Sequence, residues 1–119
     1  MRELVYYIAT SIDGFIADPS GDFGSFPLDP RTLEALFQRY PETCPVHARE
    51  ALGVTAATRR FDTVLMGRRT YQPAVDAGLT GGAYPHLRQI VAAHRTLPQA
   101  AGLQVMHGDL PAQVRELKA

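Results

Sequence analysis

The segment Thr63-Val64-Leu65-Met66-Gly67-Arg68-Arg69-Thr70-Tyr71 constrains the fold more than any other. A short apolar run breaks on glycine, and two arginines and a threonine then open a helix-like pattern. That order describes a strand handing over to a helix. A glycine there lets backbone approach a ligand closely, and the first free N–H groups of the helix point at it. Arginine adds a charge that does not titrate, in a fork matched to phosphate oxygens. The junction therefore predicts a seat for an anionic group, phosphate above all. Paired arginines also serve as a solvated helix start in any α/β protein, and that reading stands beside it.

The rest of the chain supplies an α/β context. Leu4-Val5-Tyr6-Tyr7-Ile8-Ala9 is a continuous β-branched and aromatic run, as in a strand buried on both faces. Thr10 to Pro27, with three glycines and three aspartates, is too long for a simple connector, and its hydrophobics Phe15, Ile16, Phe23 and Phe26 suggest a folded-over lid. Asp29 and Pro30 suit the cap and first turn of a helix whose buried stripe is Leu33, Leu36, Phe37 and Tyr40, ended by Pro41 and Pro45. A short helix is expected over His47 to Leu52, closed by Gly53. Further strands are expected at Thr63–Met66, Gln89–Ala93 and Leu103–Met106, with helices from Arg68 to about Val75 and from an Asp109 cap to Lys118, Val114 and Leu117 facing inward. Gly78 to Pro85 reads as loop.

Strand, helix, strand, helix, strand, strand, helix implies one α/β domain over residues 1–119. Its expected form is three layers, a mostly parallel sheet with flanking helices and right-handed crossovers. Ligands of open parallel sheets bind beyond the carboxyl ends of the strands. Three segments are expected to converge there, onward from Ala9, Gly67 and Ala92.

Composition narrows the partners. Twelve Lys+Arg balance twelve Asp+Glu, so no global field recruits nucleic acid or an anionic membrane, and neither is an expected partner. The longest apolar run, Leu4 to Ala9, is too short to span a bilayer or to form a secretory core. The single cysteine, Cys44, precludes an intrachain disulfide and fits a reducing compartment, so the expected location is cytoplasmic. His47, His86, His94 and His107 match no common zinc spacing, and no metal site is expected.

Two blocks carry a resemblance. Ala9-Thr10-Ser11-Ile12-Asp13-Gly14-Phe15-Ile16-Ala17 fits the pattern Ala-x-Ser-x-Asp-Gly-x-Ile-Ala, and Met66-Gly67-Arg68-Arg69-Thr70-Tyr71 fits Met-Gly-Arg-x-Thr-Tyr/Trp. In this order, with a helix between, the chain resembles the dihydrofolate reductase-like superfamily, in the branch of the reductase domain of bacterial riboflavin biosynthesis. The resemblance implies an NADPH-dependent oxidoreductase acting on a small heterocyclic or carbonyl substrate. It places the nicotinamide carboxamide on the backbone of Ala9 and Ile16, and the phosphates on Gly67, Arg68, Arg69 and Thr70. It sets Ala92, His94 and Arg95 beside the adenosine ribose, with Arg95 favouring NADP over NAD.

Two departures qualify that picture. Folate reductases carry a carboxylate on the first helix, but here Leu33 falls near that place and Glu34 lies off the buried stripe. Dihydrofolate is thus not the expected substrate, no catalytic side chain is named, and Asp13 or water is left as proton source. The family also continues into a strand ending in a glycine pair, whereas this sequence stops at Ala119 and Gly81-Gly82 has no apolar strand before it. The domain is accordingly expected to be truncated at its C-terminus, with an incomplete sheet. The alternative to a reductase is a truncated, non-catalytic nucleotide-binding or oligomerising module that completes its sheet with a partner chain, such as a homodimer.

Overall fold

The computed structural model describes residues 2–24, 26, 29–79, 81–94 and 103–119. Strands β1 (Thr63–Gly67), β2 (Arg88–Ala92) and β3 (Leu103–Met106) form a parallel sheet in the order β1-β2-β3. Gly67 pairs with Ala92, and Ala92 with Met106, so all three strands finish on one edge. The middle strand is the most apolar at its centre, and Ile90 and Val91 are fully buried. Each such burial stabilises the fold by roughly 1.5–3 kcal/mol.

Alternation along the strands sends side chains to opposite faces. On one face Val64, Met66, Val91 and Leu103 pack with Tyr84 and with Tyr71 of helix α3 (Arg68–Asp76). On the other, Gln104 and Met106 share a crevice with Gln113, Glu116 and Leu117 of α4 (Leu110–Lys118). The result is an α/β domain with helices on both sides of a parallel sheet.

Two helices begin as their sequences dictate. In α1 (Pro30–Arg39) the Asp29 carboxylate accepts the Arg31 N–H at 2.9 Å, and Pro30 occupies the first helical position. In α4 the Asp109 carboxylate accepts the Ala112 N–H at 3.1 Å. The α1 stripe of Leu33, Leu36, Phe37 and Tyr40 is only half-buried, and Glu34 is exposed as its position off the stripe requires. A 3-10 turn (Pro41–Thr43) follows α1, and α2 (Val46–Arg49) is shorter than the helix expected over His47 to Leu52.

The first expected strand does not form. Leu4–Ala9 belongs to no strand, and among the described residues no backbone hydrogen bond engages Leu4 to Thr10. Its side chains are exposed, Tyr6 at 82% and Leu4 at 61%, so Tyr6 is not a core residue. The propensity of the run is real, but a strand needs a neighbour to hydrogen-bond, and among the described residues β1 pairs only with β2. The segment is held instead by side chains and one backbone bond. Arg2 pairs with Asp62, and Arg60 with Glu3 at 2.9 Å. The Arg2 N–H donates to the Lys118 carbonyl, and the Tyr7 hydroxyl to Thr43 Oγ1 at 3.2 Å.

A buried carboxylate fixes the entry to β1. Glu42 is fully buried, and its Oε2 accepts the successive N–H groups of Arg59, Arg60 and Phe61 at 3.1, 2.6 and 2.7 Å. Burial alone would push this carboxyl up, but the donors, Phe61 and Arg60 foremost, outweigh it and hold Glu42 below the usual glutamate range. The same turn holds the approach to β2, because His86 Nε2 donates to the Glu42 carbonyl at 2.8 Å.

Candidate functional site

The carboxyl edge of the sheet carries the predicted anion seat. Gly67 ends β1 and is also the residue before α3, whose chain turns directly from strand to helix. Its φ of −80° is ordinary extended backbone, so the turn itself does not demand glycine. What glycine leaves is room: a Cβ built there would meet nothing within 4 Å. Among the described residues no side chain caps the amino end of α3, whereas aspartates cap α1 and α4. The first N–H groups of α3 therefore have no side-chain acceptor there, the condition under which a helix start attracts an anion.

Arg68 is half-buried, Arg69 and Thr70 are exposed, and neither arginine forms an ion pair among the described residues. Both guanidinium groups are thus uncommitted to acids of the protein there. Register sets Ala92 directly beside Gly67. Beyond Ala92, the Ala93 N–H donates to the Met106 carbonyl at 3.1 Å, and His107 Nδ1 donates to the Ala93 carbonyl at 2.8 Å. These bonds tie the ends of β2 and β3 together and leave His94 exposed. Arg95 lies outside the described residues, as does Pro27 at the end of the expected lid.

The structure thus unites Gly67, Arg68, Arg69, Thr70 and Ala92 around one strand-to-helix edge. It does not bring Ala9 and Ile16 there through a strand. Both are exposed, and Ile16 follows a local turn in which Phe15 N–H donates to Ser11 Oγ at 2.9 Å. Asp13 belongs to the same turn, its carboxylate accepting the Ser11 hydroxyl at 2.6 Å, which gives it a structural task as a turn residue. An open crevice of about 350 Å³ lies instead on the α4 face, lined in part by Arg2, Arg88, Gln104 and Glu116 and not by Gly67 or Arg68.

Three groups with raised pKa, Tyr7, Cys44 and Tyr84, gather away from this edge near the 3-10 turn. Burial raises the Tyr7 hydroxyl, opposed by its bond to Thr43 and reinforced by Tyr40. Burial also raises Tyr84, with Tyr7 and Cys44 adding to it. The buried Cys44 thiol is pushed up by its surroundings and partly drawn back by Arg49. Perturbed groups can mark active sites, but each of these has a packing cause, and no group of three or more His, Cys, Asp and Glu side chains suited to a metal occurs among the described residues.

Sequence reasoning missed two organising residues. Glu42 is one. The other is Gln89, buried on β2, whose Nε2 donates to the Gly81 carbonyl at 2.7 Å and whose Oε1 accepts the Tyr84 N–H at 3.0 Å. Gly82 packs over that carboxamide with φ +74°, so a Cβ there would be strained and would strike it. Alternation along β2 marks position 89 as inward, but nothing local announces an amide clasping a loop.

No protein-family model matches the chain, and it has no significant match among curated proteins. No helix among the described residues is long and apolar enough to cross a membrane.

Proposed function

We propose that the chain is a dihydrofolate reductase-like, NADP-linked oxidoreductase domain that transfers hydride from NADPH to a small heterocyclic or carbonyl substrate. The observation that carries this reading is the uncapped start of α3, open in front of Gly67 and followed by two arginines that have no acidic partner among the described residues. These groups suit a dinucleotide's phosphates: backbone N–H donors for the bridging oxygens, and a guanidinium for a dianion. When bound, the cofactor supplies the hydride, and the protein's part is to orient it. Ala92 and His94 would lie along its adenosine side, and residues 10–24 would serve as cover. Titrating the purified chain with NADPH tests the reading. Enhanced nicotinamide fluorescence at micromolar cofactor supports it, and unchanged fluorescence up to millimolar cofactor refutes it.

A second reading has its own observation. Among the described residues the apolar segment Leu4–Ala9 is exposed, its backbone is unpaired, and β1 lies at the edge of the sheet. This favours a nucleotide-binding or oligomerising module that extends its β structure with a partner chain.

A further inference from the structure

Glu42 is a buried acid that no cation answers. It is fully buried, and none of the ion pairs among the described residues includes it. Its Oε2 instead gathers the backbone N–H groups of Arg59, Arg60 and Phe61, while Oε1 is buried with no hydrogen-bond partner among the described residues. Successive N–H groups that converge on one oxygen form a concave anion seat of fixed partial charges. The seat lies just before β1, at the other end of that strand from Gly67.

Its parts are held by contacts that do not involve the acid. The Arg59 guanidinium donates to the Gln38 carbonyl at 3.0 Å, and that of Arg60 to Glu3 Oε2 at 2.9 Å. The Phe61 ring lies against Tyr40 with centroids 5.5 Å apart, and the Asp62 carbonyl accepts the Arg88 N–H at 2.9 Å. On the facing side, backbone bonds from Thr43 to Tyr40 and from Cys44 to Pro41 close the 3-10 turn. His86 holds the backbone carbonyl of Glu42, not its side chain. Truncating Glu42 removes none of these contacts.

We propose that the backbone of Arg59, Arg60 and Phe61 is a carboxylate-binding site in its own right, that Glu42 is the ligand the chain carries for it, and that a free acetate-sized carboxylate binds there once that side chain is removed. The size follows from the atoms: Glu42→Ala takes away the methylene and carboxylate beyond Cβ, which acetate replaces nearly atom for atom. The class follows from the donors, which are backbone N–H groups that all meet one oxygen. The orphaned Oε1 marks where a further donor is lacking, so a phosphate, with more oxygens to satisfy, is the poorer ligand. None of these residues lines the Gly67 edge, so the site stands or falls apart from NADPH.

Thermal melts of the full chain near neutral pH, in sodium acetate against sodium pivalate at equal ionic strength, test this. Pivalate has the same charge, but its extra methyl groups overfill the space that Glu42→Ala leaves. The melting temperature of Glu42→Ala should rise saturably, by roughly 3–6 °C in about 0.1 M acetate over its value in pivalate. The parent and Glu42→Gln, whose own side chains fill the seat, should show no such difference. Where Glu42→Ala is unfolded in pivalate, acetate should restore its circular dichroism. In the folded variant, the amide resonances of Arg59, Arg60 and Phe61 should shift as acetate is added. A Glu42→Ala variant that acetate neither stabilises nor refolds overturns the proposal, and so does an equal response to acetate in the parent and both variants.

Discussion

Gly67 and Ala92 face each other on the last rung of the β1–β2 ladder, where α3 begins. Because the strands are parallel, the helix start cannot lie anywhere but the carboxyl edge, and its free N–H groups open beside the end of the neighbouring strand. The uncapped helix start is thus placed by topology, and the arginines that follow add positive charge beside it.

Those arginines give the first prediction. Arg68→Ala and Arg69→Ala should each weaken NADPH binding by about 10- to 100-fold, the worth of a charge-assisted hydrogen bond of roughly 1.5–3 kcal/mol. Calorimetric titration with NADPH and NADH checks it. Whichever arginine meets the 2′-phosphate should, when removed, cost NADPH more than NADH.

Glu42 links stability to acidity. Its folded-state pKa lies below the unfolded value of 4.5, so its contribution is complete above that value and drains away as pH falls from there through the lower folded pKa. Glu42→Gln should cost about 1.5–3 kcal/mol near neutral pH, since the three N–H donors lose their charged acceptor. The gap between parent and variant should narrow on acidification below pH 4.5, as read by urea unfolding at pH 7, 4 and 3.

Cys44 is fully buried, with its acidity lowered by those surroundings. Native protein should react with a thiol reagent at least about 100-fold more slowly than unfolded protein, reflecting the opening needed to expose it. A colorimetric thiol assay with and without urea reads this directly.

Gly82 and Gln89 should prove coupled. Gly82→Ala combines a left-handed backbone with a collision on the Gln89 carboxamide, and should destabilise by about 1–3 kcal/mol. Thermal melts of Gly82→Ala, Gln89→Ala and the double variant check it. The double variant should lose less than the sum, because the shortened side chain removes the collision.

How far the sequence foretells all this depends on the range of the forces involved. Local chemistry was legible: the Asp29 and Asp109 caps, and the three strands within a residue of their expected bounds. So was the Gly67 junction, where the change of residue type is itself local. Leu4–Ala9 misled because strand formation needs a partner, which propensity does not supply. Glu42 and Gln89 were invisible for a related reason. Glu42 lies between Pro41 and Thr43 like any exposed acid, and its donors stand 17 to 19 residues away. Asp13 and Ile16 matched a pattern, yet their turn closes on itself through Ser11 and Phe15.

The most direct test of the central claim is an amide nuclear magnetic resonance titration of the labelled chain with NADPH. A dinucleotide docked at the start of α3 should shift the amides of Gly67, Arg68, Arg69 and Thr70 first, with Ala92 following. Saturating NADPH that leaves those five resonances unmoved would contradict the account.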